Sequence, residues 1–167
     1  HGFPSAATIG GREDVMKYCA AGVAAGAKRA YCGGTLAANP ITCGAAYWSI
    51  KYVEKTNATE KAGKAADRLS KGMNELFQKY DLPWISYNFN AILHMHTSAV
   101  MGLDLNNSSH IGQITERKHF MEEMGAALIT EGLISLAGSR FYTCIQHTNE
   151  IIDQTLSKIE NICQMIE

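Results

Sequence analysis

The stretch GGTLAANPITCGAAYWSI, residues 33–50, decides how the chain is read, because it joins a glycine-rich turn to a long apolar helix through Asn39-Pro40. Asn accepts hydrogen bonds from the free amides that open a helix, and Pro at the first helical position gives up an N–H that would otherwise lack a partner. Beyond Ile41, the residues Cys43, Ala46, Tyr47, Ile50 and Val53 recur at helical spacing, and the small Gly44, Ala45 and Ala46 suit close packing against a neighbour. A buried helix over about residues 41–55 is expected. Gly33, Gly34 and Thr35 allow two readings. The glycines explain a turn, or they bare backbone amides for a phosphate or oxyanion, with the threonine hydroxyl as a further donor.

Downstream, Asn57-Ala58-Thr59-Glu60 has the order of a capping box, followed by an amphipathic helix to about Tyr80 with Leu69, Met73, Leu76 and Phe77 as its apolar stripe. Pro83 prevents its continuation. Residues 84–97 contain aromatic and β-branched residues around the turn-formers Asn88 and Asn90, which predicts two short strands, and 102–112 reads as a polar loop. Residues 116–131 are helical with Phe120, Met124, Ala127 and Leu128 on one side and Gly132 as the stop. LISLAGSRFYTCI, residues 133–145, is a strand or two broken at Gly138. Thr148 caps the last helix, whose inner face carries Ile152, Leu156, Ile159, Cys163 and Ile166.

Upstream, residues 4–9 read as a short strand ending at Gly10-Gly11, and 12–20 as a helix with Glu13 and Asp14 in its first turn. Residues 20–28, AAGVAAGAK, form a small-residue connection. A strand and a short helix offer too little apolar area to fold alone, so residues up to about 40 need a larger body to pack on. The chain therefore reads as a short β/α opening, a connecting helix and a compact α+β unit.

The 167 residues are 46% hydrophobic and 19% charged with a net charge of −1, an ordinary globular composition. Scattered basic residues and near-neutral charge argue against nucleic acid and anionic membranes as partners, and no apolar run is long enough to span a bilayer. The five cysteines are odd in number, widely spaced and free of any C-x-x-C pair, which fits free thiols and a cytoplasmic location. No signal-peptide pattern opens the chain, which starts at His1 rather than Met, so a fragment or a processed product is expected.

Other candidate chemistry has a plainer reading beside it. His94-Met95-His96 places two imidazoles on one face of a strand, as two metal ligands or as packed histidines. No supporting third ligand stands nearby, and no metal site is assigned. Glu122-Glu123 and Asp104 read as solvated acids. Cys32, beside the glycines, has no local His partner to activate it.

Three segments in order resemble the class III pyridoxal-phosphate-dependent aminotransferases, and among them the glutamate-1-semialdehyde 2,1-aminomutase-like branch. GFPSAATIGGREDVM, residues 2–16, is similar to the strand that follows the Schiff-base lysine in that branch. GGTLAANP, residues 33–40, is similar to its Gly-Thr-x-x-x-Asn-Pro element, and HTNEIIDQTLSKI, residues 147–159, to the start of its last helix. The resemblance implies the C-terminal part of a fold-type I transferase of α/β class with an α+β small domain. Residues 1–40 would end the large cofactor-binding domain, 41–56 form the connecting helix, and 57–167 the small C-terminal domain. Gly34 and Thr35 would bind the phosphate of pyridoxal 5'-phosphate held in the other subunit of a homodimer.

The Schiff-base lysine would fall just before His1, and Lys17 and Lys28 do not take its place. No catalytic residue is therefore assigned within the chain, which is not expected to be active alone. The intact enzyme would be an aminomutase or aminotransferase acting on an amino acid or an amino aldehyde or ketone. Alternatives are a racemase on the same scaffold and a non-catalytic dimerisation or interaction fragment.

Overall fold

The computed structural model describes residues 11–19, 28, 30, 39–97 and 108–166, and for 108–117 the backbone alone. The chain divides into two compact units, His1–Thr56 and Asn57–Glu167. The strand expected over residues 4–9 lies outside the described residues, as does residue 20, the last of the expected first helix.

In the first unit α1 (Glu13–Met16) runs on into a 3-10 turn, Lys17–Cys19. Glu13 and Asp14 sit in its first turn, where the helix dipole favours negative charge. α2 (Pro40–Thr56) begins at the proline, as the sequence predicts. Asn39 Oδ1 accepts from the amides of Ile41 and Thr42 at 3.0 and 3.3 Å, and Thr42 Oγ1 donates to the Asn39 carbonyl at 3.0 Å.

The burial of α2 differs from expectation. Thr42 is its buried residue, whereas Tyr47, Ile50 and Val53 of the expected inner stripe are 55%, 56% and 42% exposed. Trp48 and Tyr52 are also exposed, so large apolar side chains are spread around the helix instead of along one side. Among the described residues of this unit, the single-turn α1 offers too little apolar surface to cover a helix of 17 residues.

The second unit opens with α3 (Ala58–Lys79), which starts where the sequence places it but not by a capping box. Asn57 lies at φ 50° and ψ 42°, and its side chain makes no cap bond. An N-cap needs extended backbone. Asn57 instead follows directly on Thr56, the last residue of α2, and takes the left-handed conformation that Asn tolerates as a break between helices.

β1 (Trp84–Phe89) and β2 (Ile92–Thr97) pair antiparallel from Trp84↔Thr97 to Phe89↔Ile92, with Asn90 at φ 51° in the turn. β3 (Arg140–Tyr142) pairs with the other side of β2, giving the order β1-β2-β3. Between them α4 (Ser108–Thr130) starts earlier than predicted, so helix replaces the second part of the expected 102–112 loop. Residues 98–107 lie outside the described residues.

Gly132 ends α4 at φ 74°: its amide donates to Ile129 O and that of Leu133 to Leu128 O, the paired bonds of a Schellman motif. Ala137 and Gly138, at φ 52° and 66°, form the turn before β3. α5 (Asn149–Gln164) is capped by Thr148, whose side chain accepts from Ile151 N.

The core lies between the inner face of the sheet and the helices. Leu69, Met73 and Phe77 of α3 meet Leu93 and Met95 of β2 and Phe141 of β3. Met124 and Leu128 of α4 and Ile152, Ile159, Ile162 and Cys163 of α5 complete it. Burying such side chains contributes roughly 1.5–3 kcal/mol each. Ile162, absent from the predicted stripe, is buried, while Ile166 at the helix end is 40% exposed.

Candidate functional site

Gly33, Gly34, Thr35 and Cys32 lie outside the described residues, as does Asp104. What the structure describes of the opening stretch is its second half, the start of α2. There the first free amides are satisfied within the chain, because Asn39 Oδ1 takes those of Ile41 and Thr42. Asn39-Pro40 is therefore a helix cap, and these amides are committed. An anion contact in this region would draw on the glycine amides and the Thr35 hydroxyl, a donor set whose chemistry suits a phosphate.

Lys17 and Lys28 are both exposed, and Lys17 Nζ lies 5.3 Å from the ring centre of its neighbour Tyr18. Glu122 and Glu123 stand on the exposed side of α4. Lys118 Nζ is 3.8 Å from Glu122, and His119 Nε2 is 3.1 Å from Glu123. They form a solvated face, as the sequence suggests.

His94 and His96 do share one face of β2, opposite Leu93 and Met95 of the core. Their ring centres are 5.7 Å apart, and Tyr87, directly across from His94 on β1, stacks on it at 5.5 Å with planes 7° apart. Arg140 faces His94 from β3. Burial, and next the positive charge of Arg140, hold the His94 pKa below its usual value, so the imidazole is neutral near pH 7. His96 is buried. Among the described residues no group of three or more His, Cys, Asp or Glu comes together in a way that could hold a metal ion.

The His147-Thr148 pair has a structural explanation. His147 Nδ1 accepts from the Cys144 amide at 2.9 Å, and the His147 amide donates to the Cys144 carbonyl at 3.0 Å. The imidazole thus locks the turn in front of α5, while Thr148 caps that helix. Cys144 is exposed, and Cys163 is buried with its thiol pushed up to about 11 by burial and secondarily by Glu160. Cys43, Cys144 and Cys163 are free thiols.

A groove between α3 and α5, lined by Gly72, Leu76, Lys79, Leu156 and Glu160, has its charges already paired. Lys79 binds Glu160, and Arg68 binds Asp153 at the groove's edge. Sequence reasoning did not single out Tyr87, Arg140 or Tyr142, which form the outer sheet face with the histidines. Strict alternation in residues 84–97, extended across the three-strand register, is the signal that exposes them.

Among the described residues no helix is long and apolar enough to cross a membrane. No family profile matches the chain. The fold is similar to part of the crystal structure of an omega-transaminase from Sphaerobacter thermophilus, with a TM-score of 0.60 and 16% sequence identity over 82% of this chain. The match covers 30% of that protein, so the chain spans less than a third of its length. Mixed helices with a small antiparallel sheet, similar in fold to a portion of that fold-type I structure, are the architecture of this chain.

Proposed function

We propose that this chain is the C-terminal portion of a pyridoxal 5'-phosphate-dependent aminotransferase or aminomutase, close to the glutamate-1-semialdehyde aminomutase branch. The observation that carries the reading is the likeness of 82% of the chain to part of a transaminase, joined to a Gly-Thr element placed just ahead of a capped helix. The cofactor, when bound, supplies the electron sink for proton loss beside an amino group. The substrate class is a small amino acid or amino aldehyde or ketone.

Within this chain Gly34 and Thr35 bind the phosphate and orient the cofactor in the other subunit of a homodimer. Glycine at 33 and 34 lets backbone amides approach the phosphate oxygens without a Cβ between them. Asn39 serves this loop indirectly, since by capping α2 it fixes the residue at which the loop must end. The lysine that bonds the cofactor comes from polypeptide outside this chain.

A mixing experiment tests the reading. The polypeptide carrying that lysine, pyridoxal 5'-phosphate and this chain are combined, and both the visible cofactor band and the mass of the assembly are followed. A band and a stoichiometric assembly that form only when this chain is present are expected. A chain that remains monomeric and indifferent to both components contradicts the proposal, and self-association without any cofactor band favours an interaction module.

A further inference from the structure

We propose that His147 is a pH-sensitive latch on the connection between β3 and α5, holding the turn Cys144–His147 closed while its imidazole is neutral and releasing it when the ring takes a second proton. The connection is tied at both ends. Thr143 N donates to the Ala91 carbonyl at 3.0 Å, and Thr143 Oγ1 donates to the Ala62 carbonyl of α3 at 2.6 Å. At the other end the Thr148 side chain caps α5, and the Thr148 carbonyl accepts from Ile152 N at 3.0 Å. Between these anchors the Cys144 amide is held by His147 Nδ1 at 2.9 Å.

An imidazole nitrogen accepts a hydrogen bond only while it carries no proton, so this bond requires the neutral ring with its hydrogen on Nε2. Protonation makes Nδ1 a donor and sets it against another donor, the Cys144 N–H. Histidine is the side chain whose charge ordinarily changes within about pH 5 to 8. His147 is half-buried and Cys144 is exposed, so water can take up both the charged ring and the freed amide. The ring then turns outward, and the turn keeps only the bond from the His147 amide to the Cys144 carbonyl, at 3.0 Å. The four-residue turn that carries the exposed Cys144 thiol loosens while β3 and α5 stay in place.

No neighbouring charge overrides this chemistry. The titratable groups about the connection are Tyr142 and Cys144 beside it in the chain, Glu150 in the first turn of α5, and Glu60, Lys61 and Lys64 around Ala62 of α3. Glu60 is paired with Lys64, and Glu150 is exposed. Among the described residues none of these side chains bonds to the His147 ring, whose partner is the Cys144 amide. A carboxylate on the ring would hold it in place in its charged form; without one, the bond to Cys144 is made by the neutral form alone.

Amide hydrogen exchange and imidazole NMR of the chain, followed together over about pH 5 to 8, test the proposal. Protection of the Cys144 amide, corrected for the intrinsic pH dependence of exchange, is expected to fall roughly three- to tenfold as the His147 ring gains its proton, with the same midpoint. The Thr143 and Ile152 amides are expected to keep theirs. His147→Phe, which lacks the acceptor, should leave the Cys144 amide unprotected at every pH, and His147→Asn, whose side-chain oxygen accepts at every pH, should remove the pH dependence. Cys144 protection that stays level while the ring titrates, or a ring that does not titrate in this range, overturns the latch. So does the same pH-dependent loss in His147→Phe, or a loss shared equally by Thr143 and Ile152, which would mark general unfolding in acid. Should either variant fail to fold, the paired titration of the unaltered chain decides alone.

Discussion

Asn74 of α3 holds Ser86 of β1 by two hydrogen bonds, its Nδ2 donating to the Ser86 carbonyl and its Oδ1 accepting the Ser86 amide, each at 2.8 Å. β1 is an edge strand. The side-chain amide therefore supplies what a further strand would, and it does so at a buried residue, since Ser86 is 3% exposed. Asn74→Ala strands both backbone groups and is expected to cost about 2–4 kcal/mol, the desolvation penalty of two unpaired groups. Urea unfolding checks this, with loss of the β1 amide protection in hydrogen exchange as its local signature.

Gly138 and Gly44 should respond to alanine with opposite sign. A Cβ at Gly138 would lie 2.0 Å from the Met121 carbonyl oxygen, and the residue sits at φ 66°, so Gly138→Ala is expected to cost about 3 kcal/mol or more. Nothing lies within 4 Å of a Cβ at Gly44, inside α2. Gly44→Ala is expected to favour that helix by roughly 0.5–1 kcal/mol. Thermal melts followed by circular dichroism separate the two.

The thiols should differ in reactivity. Cys144 is exposed and Cys163 is buried with its pKa pushed to about 11, so a thiol reagent at pH 8 is expected to modify Cys144 in the folded chain and Cys163 only on unfolding. The same shift makes stability depend on pH. The unfolded state loses the Cys163 proton at lower pH than the folded one, so the contribution is complete below the ordinary thiol value and is lost as pH rises through about 11. Cys163→Ser, judged by unfolding at high pH, should flatten that loss.

His94 gives a dependence at the acid side. Its folded pKa is depressed, so between that value and the ordinary 6.5 the unfolded chain binds the extra proton and stability falls as pH is lowered through this window. Burial is the larger cause and Arg140 the next. Arg140→Gln is expected to move the His94 titration upward, measured by imidazole proton NMR, without restoring the ordinary value.

Local signals in the sequence were read correctly where one residue's chemistry settles the geometry. Asn39-Pro40, Thr148 and Gly132 each mark a helix end through a side-chain acceptor or a left-handed backbone, and all three do so in the structure. Asn57 failed as a cap because the same residue type also serves as a left-handed break between helices, and its two roles look alike in sequence. Burial of α2 was misread because spacing reports a helix but not what covers it. α4 began before its expected start because Ser, His and Gly open it without an apolar stripe.

The outer sheet face was legible only in part. Alternation placed His94 and His96 together, but Arg140 enters through the pairing of β2 with β3, a long-range register that no local pattern contains. The Gly-Thr element remains the portion of the candidate site read from sequence alone.

The decisive measurement is the affinity of the assembled protein for pyridoxal 5'-phosphate and for pyridoxal, its analogue without phosphate, before and after Thr35→Ala. Removal of one hydrogen bond to a charged group should weaken pyridoxal 5'-phosphate binding roughly ten- to hundredfold while pyridoxal binding stays unchanged. Equal effects on both ligands, or none on either, would contradict a role for Thr35 at the phosphate.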